Sequence, residues 1–167
     1  MDINIIQGQK PTKRGNTMKL QLTKDYPIID NNIILIKEIT AKSFMKILGA
    51  NPRIMKLDMG ISIHIFDQIG VRFWERNSKI YEAEFLLKIS DDEKSPREVY
   101  KGSIYLDDIS LSRPTYIETI KSIENVKVIQ DDDSRRFGLN IYHVMFLDRK
   151  YSFWVDDKNE EVVSIHF

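Results

Sequence analysis

The chain has 167 residues, 42% hydrophobic and 30% charged, enough apolar content to bury one core within a single domain. Its 25 basic residues balance 25 acidic ones, which argues against a surface dedicated to nucleic acid, where a basic excess is the rule. With no cysteine, disulfides, thiolate nucleophiles and cysteine-bound zinc or iron–sulfur centres are excluded.

Residues 1–17 carry Gly8, Pro11 and Gly15 among polar side chains and are expected to form a flexible tail before a folded domain spanning 18–167, with Met18 a second candidate start. Ile3, Ile5 and Ile6 precede Lys10, Lys13 and Arg14, the reverse of a secretory signal, and no apolar run reaches the roughly 20 residues that cross a bilayer. The expected compartment is therefore the cytoplasm. The β-branched run 33–36 predicts a strand. Thr40 is placed to cap a short helix with the stripe Phe44, Ile47 and Leu48, and Gly49 to end it. A short extended segment at 53–57 follows, then strands at 61–66, 71–75 and 80–89 separated by turns at 67–70 and 76–79. Beyond an acidic loop at 91–97, a strand is predicted at 103–106. A helix over about 114–124, with Pro114 in its first turn and the stripe Tyr116, Ile117, Ile120 and Ile123, stops at Asn125. The segment 126–130 reads as extended, followed by strands at 140–147, 150–155 and 161–167.

The order strand, helix, strand meander occurs twice, giving pseudo-repeats at about 33–89 and 103–167 in which His64 falls on His143, Phe73 on Phe153 and Trp74 on Trp154. The expected fold is thus α+β: two tandem helix-plus-antiparallel-sheet units forming one domain. Alternation along each strand then assigns its faces. Ile61, Ile63 and Ile65 are placed with Val71, Phe73, Tyr81, Ala83 and Phe85 beneath the first helix, leaving Ser62, His64, Phe66, Arg72, Trp74, Glu82 and Glu84 on the opposite side. In the second half Tyr142, Val144, Phe146, Tyr151, Phe153, Val155, Val163 and Ile165 turn inward, and His143, Met145, Ser152, Trp154, Ser164 and His166 outward. Both tryptophans and all three histidines are thereby expected on the face away from the helices. Two arrangements satisfy this pattern. Either the tryptophans pack beneath the tail or between the halves, or they form an open face with the aromatic and charged composition of a protein-binding hot spot.

No G-x-S-x-G elbow, H-E-x-x-H pair, G-x-G-x-x-G or phosphate-binding loop occurs, so no enzyme activity and no cofactor is expected. His143 and His166 offer only two nitrogens and are not expected to hold a metal. Glu82 and Glu84 share a strand face and imitate a catalytic carboxylate pair, but Arg72 is expected opposite Glu84 as a surface charge pair. The acidic runs at 91–93, 107–108, 156–157 and 160–161 are accounted for by turn chemistry. Asp131, Asp132 and Asp133 exceed what a turn needs and suit docking against a basic cleft.

The stretches "ILGANPR", "IFDQIGVRFWE" and "YKGSIYLDDISL" carry a Leu-Gly after the first helix, an Asp-x-x-Gly before a strand and a Gly-led hydrophobic hairpin, here Leu48-Gly49, Asp67 to Gly70 and Gly102 onward. In these marks the central half of the chain resembles a family of small bacterial proteins regarded as immunity partners of secreted toxins. The helix-plus-sheet plan is also similar to that of β-lactamase inhibitory proteins. The resemblance implies inhibition by binding: a cytosolic immunity protein that blocks the active site of a cognate toxin, a nuclease or another effector acting in the cytosol, with no nucleic-acid or membrane partner. The residues expected to meet that partner are Trp74, Trp154, His64, His143, Arg72, Asp131, Asp132 and Asp133. The alternative is a small-ligand binder or enzyme with a pocket between the two halves, lined by the tryptophans and histidines.

Overall fold

The computed structural model describes residues 18–136, 138–146 and 149–167; the expected tail at 1–17 lies outside them. Short β-branched and aromatic runs punctuated by turn residues form strands almost throughout. In chain order these are β1 (Lys19–Leu22), β2 (Pro27–Ile29), β3 (Asn32–Ile33), helix α1 (Ala41–Leu48), β4 (Arg53–Lys56), β5 (Ile61–Phe66), β6 (Val71–Arg76), β7 (Lys79–Leu86), β8 (Ser103–Leu106), β9 (Ile109–Leu111), helix α2 (Ile117–Lys121), β10 (Lys127–Arg136), β11 (Leu139–Phe146), β12 (Arg149–Asp156) and β13 (Val162–His166). A five-stranded sheet has the order β3-β2-β1-β8-β9, with β1 and β8 parallel. An eight-stranded sheet, antiparallel throughout, has the order β10-β11-β12-β13-β7-β6-β5-β4.

This corrects the expected α+β class: the fold is β-rich, built on two sheets of five and eight strands, and does not consist of tandem helix-plus-sheet units. A helix precedes a four-strand meander in each half, but the two meanders are halves of one sheet. Their last strands pair, with Ile165 beside Phe85 and His166 beside Glu84, which satisfies the backbone groups that separate units would leave on open edges. The helices are also too short to cover a sheet. Thr40 caps α1, its side chain accepting from the Ser43 N–H, and Gly49 ends it in the left-handed region at φ 63°. Helix α2 has only five residues, because the backbone before it is committed elsewhere: Tyr116 bridges Glu161, and the Ile117 N–H donates to the Glu160 carbonyl.

The small sheet does the covering that the helices cannot. Leu20, Leu22, Ile104 and Leu106 point from it onto Phe73, Phe85, Phe153 and Ile165 of the large sheet, with Phe44 of α1 and Ile117 and Ile120 of α2 in the same continuous core. The Tyr151 hydroxyl donates to the Thr23 carbonyl at 2.7 Å and the Tyr100 hydroxyl to the Met18 carbonyl at 2.6 Å, tying the large sheet and its following loop to the ends of β1. Gly70, at φ +68°, closes the β5–β6 turn against the backbone of Tyr100; a Cβ there would sit 1.9 Å from the Tyr100 nitrogen, so neither the conformation nor the space admits a side chain.

Registers overturn part of the expected face assignment. His64 lies opposite Phe73 and Ile65 opposite Arg72, so the whole of β5 is turned over relative to the expectation: Ile63 and Ile65 share a face with Trp74, while His64 and Phe66 face the core. A bulge between Trp74 and Glu75 buries Ile80 and leaves Tyr81 exposed. A second bulge beside Val155 turns Val162 inward in place of Val163.

Candidate functional site

The outer face of the eight-stranded sheet, the side turned from the core, carries a row of polar side chains fixed by strand register. Ser152 on β12 lies beside His166 on β13, His166 beside Glu84 on β7, and Glu84 beside Arg72 on β6. A tryptophan closes each end. The Trp154 indole stacks on the His166 imidazole with ring centroids 4.6 Å apart and planes 17° from parallel. The Arg72 guanidinium lies over the Trp74 ring, 4.9 Å from its centroid. The result is one band, Trp154–His166–Glu84–Arg72–Trp74, drawn from four adjacent strands.

Burial makes the hydrogen bonding of this band obligatory. Glu84 and His166 are both buried. Arg72 pairs with the Glu84 carboxylate and donates to the Lys94 carbonyl at 2.7 Å and, more distantly, to Asp92, which holds the loop 90–97 beside the band. Arg72 was expected opposite Glu84, and it is; the expectation of a surface pair is corrected, because the pair is nearly closed to solvent. His166 has Glu82 Oε1 2.9 Å from its Nδ1, Ser164 Oγ 2.9 Å from its Nε2 and Glu84 Oε1 3.5 Å from the same Nε2. A carboxylate only accepts, so Nδ1 carries a proton and donates to Glu82, while Nε2 meets the Ser164 hydroxyl and, more distantly, Glu84. Arg72 thus pairs with Glu84, both imidazole nitrogens have partners, and Glu82 is the carboxylate of the band that reaches solvent.

Ser164, His166 and Glu82 reproduce the hydrogen-bond order of a serine-hydrolase triad. Accessibility decides against that chemistry. Ser164 is 2% exposed, between Trp154 and Leu86 on a strand paired along both sides, so its surrounding N–H groups are committed to the ladders and a substrate carbonyl has no approach to Oγ. Among the described residues, no group of three or more His, Asp or Glu side chains is arranged to hold a metal ion.

Of the residues expected to meet a partner, Trp74, Trp154 and Arg72 belong to this band. His143 shares the outer face, with Nδ1 3.2 Å from Ser152 Oγ and Nε2 3.3 Å from Asp131 Oδ2, so it joins the band's neighbour to the sheet edge. His64 does not belong. It is buried on the core side, stacked on Phe73 at 4.4 Å and hydrogen-bonded through Nε2 to Glu75, while its buried Nδ1 has no hydrogen-bond partner among the described residues. Burial lowers the His64 pKa, partly opposed by the hydrogen bond and charge of Glu75. Asp131 and Asp132 stand on strand β10 rather than in a loop. That strand is an edge of the large sheet, where charge discourages pairing with another chain. The side chain of Asp133 lies outside the described residues. Sequence reasoning left Glu82, Glu84, Ser164 and His166 off the set. Their signal was the spacing of two in Glu82-x-Glu84 and Ser164-x-His166, which places each pair on one strand face; that the two strands are neighbours was not visible.

No helix of the described residues is long and apolar enough to cross a membrane. Comparison with curated proteins finds no match, and neither does comparison with solved structures. A family model does match, over residues 19–121, which takes in the small sheet, the first meander and α2 but not the second meander. Arg72, Trp74, Glu82 and Glu84 fall inside the matched region, and Trp154, Ser164 and His166 beyond it. The match spans more than half of the chain, and the chain belongs to this family, described as a domain of unknown function (DUF7738).

Proposed function

We propose that this chain is a cytoplasmic immunity protein that binds a cognate bacterial toxin and occludes its active site, with the outer-face band as the centre of the contact. The observation that supports this reading is the pairing of two partly exposed indoles with a buried, hydrogen-bonded charge network on one sheet face. Tryptophan and arginine dominate the centres of protein interfaces because they bury large area and retain directional contacts. Apart from Glu82, the polar groups of the band are already hydrogen-bonded, so covering them loses little on desolvation, which suits an inhibitor that works by covering a site. The rival reading, a ligand pocket between the halves, has less support: the halves meet along the hydrogen-bonded strands β7 and β13, so backbone ladder occupies the place of a cleft.

The test is capture of a toxin partner from the source cell with the purified chain, followed by surface-based binding kinetics between the two. Trp74→Ala and Trp154→Ala should each speed dissociation about thirtyfold, the equivalent of about 2 kcal/mol for a central aromatic. Replacing Asp131 and Asp132 by Asn should mainly slow association, with a loss that shrinks in high salt. Unchanged kinetics in every variant, or no binding to the toxin, refutes the reading.

A further inference from the structure

We propose that the outer-face band is a receptor for a cation: the partner inserts an arginine or lysine side chain against Glu82, between Trp74 and Trp154. This deepens the immunity reading and rests on it for the identity of the partner, but its chemistry stands on the band itself. Glu82 is the cross-strand neighbour of Trp74 and the hydrogen-bond partner of His166, whose ring stacks on Trp154, so one carboxylate adjoins the first indole directly and is joined to the second through the imidazole. Arg72 is spent on Glu84, and the carboxylate of the band that remains open to solvent is that of Glu82.

That charge is the accessible one. The Glu82 side chain is 39% exposed and spends one oxygen on His166, leaving the other to accept from a ligand. Indole faces attract cations and repel anions, so the aromatic and carboxylate contributions favour the same ligand sign. Of the exposed cations on the same face, Arg76 and Lys79 pair with each other at the closed end of the β6–β7 hairpin, and Lys150 stands near the start of β12. A basic catalytic cleft offers arginine and lysine side chains of the required kind.

Both tryptophans of the chain lie in the band, so intrinsic fluorescence reports on this site alone. The probe is a hexa-arginine peptide, with hexa-glutamate as the control of opposite sign. Wild type should give a saturable change in fluorescence with hexa-arginine and none with hexa-glutamate. Glu82→Gln keeps an oxygen to accept from His166 and removes only the charge; it should weaken hexa-arginine binding about tenfold with the melting temperature unchanged. Asp108→Asn, which removes a charge from the β8–β9 turn of the small sheet, should leave the fluorescence-detected affinity within about twofold. The proposal is overturned if wild type shows no saturable response, if Glu82→Gln binds as wild type does, or if hexa-glutamate serves equally well. A toxin bound through Trp74 and Trp154 but indifferent to Glu82→Gln would overturn the cation receptor and spare the immunity reading. Glu82-dependent peptide binding with no toxin partner would do the reverse.

Discussion

Removing Arg72 should expose how far the band is a buried ion pair. In wild type the Arg72 and Glu84 side chains are only 12% and 4% exposed, and Glu84 also faces His166. Arg72→Met replaces the stem with a side chain of similar length and leaves the Glu84 carboxylate buried with its cation gone. An uncompensated buried charge of this kind costs about 3–5 kcal/mol, which for a chain of this size lowers the melting temperature by on the order of 10 °C. The double variant Arg72→Met/Glu84→Met removes both charges and fills the same space with apolar atoms, so it should regain most of that loss and melt above the single variant. Urea denaturation of wild type, both single variants and the double variant completes the cycle. The loop 90–97 loses its Arg72 hydrogen bond to Lys94 in either Arg72 variant and should be cut faster by protease in both. A single variant that costs less than about 1 kcal/mol, or a double variant no more stable than Arg72→Met, refutes the buried-pair reasoning.

Two further outcomes follow from the core. Phe73 and Phe153 occupy fully buried positions on the inner face of the same sheet, so Phe73→Ala and Phe153→Ala should each cost roughly 3–5 kcal/mol in denaturant unfolding; one harmless and one crippling substitution would show that the two halves are not equivalent in packing. Burial lowers the His64 pKa below 6.5, so the native state holds the neutral ring and the unfolded chain binds the extra proton; stability should be present above about pH 6.5 and fall as the pH drops towards the folded value. His64→Phe, beside Phe73, should flatten that acid-side slope in denaturation series from pH 8 to pH 5, and an unchanged slope would assign it to other groups.

The local pattern of this sequence determined individual elements well. Thr40 and Gly49 set the limits of α1 because a cap and a left-handed stop act within one turn of chain. Alternation located β5, β6, β7, β11, β12 and β13, and placed Trp74, Trp154, Arg72 and His166 on one face, because period two is intrinsic to an extended backbone. It failed where another strand decides the outcome. Ile61, Ile63 and Ile65 form an apolar row of their own, and Ile63 and Ile65 are indeed buried, but only pairing with β6 selects which face of β5 meets the main core, so His64 entered the expected site although it packs on Phe73. Strand β10 runs through three aspartates that read as a loop, since β-propensity depends on position and an edge strand tolerates charge that a central one does not. Strands β1, β2 and β9 were missed altogether: β1 is held by β8, more than eighty residues away, and two short strands gain their stability from that pairing rather than from any local signal. The band itself has the same origin. Its tryptophans, glutamates and histidine are spaced legibly along their own strands, but only the contact of β13 with β7 brings His166 against Glu82 and Glu84, and that contact exists because two meanders bury more and leave fewer open edges as one sheet than as two.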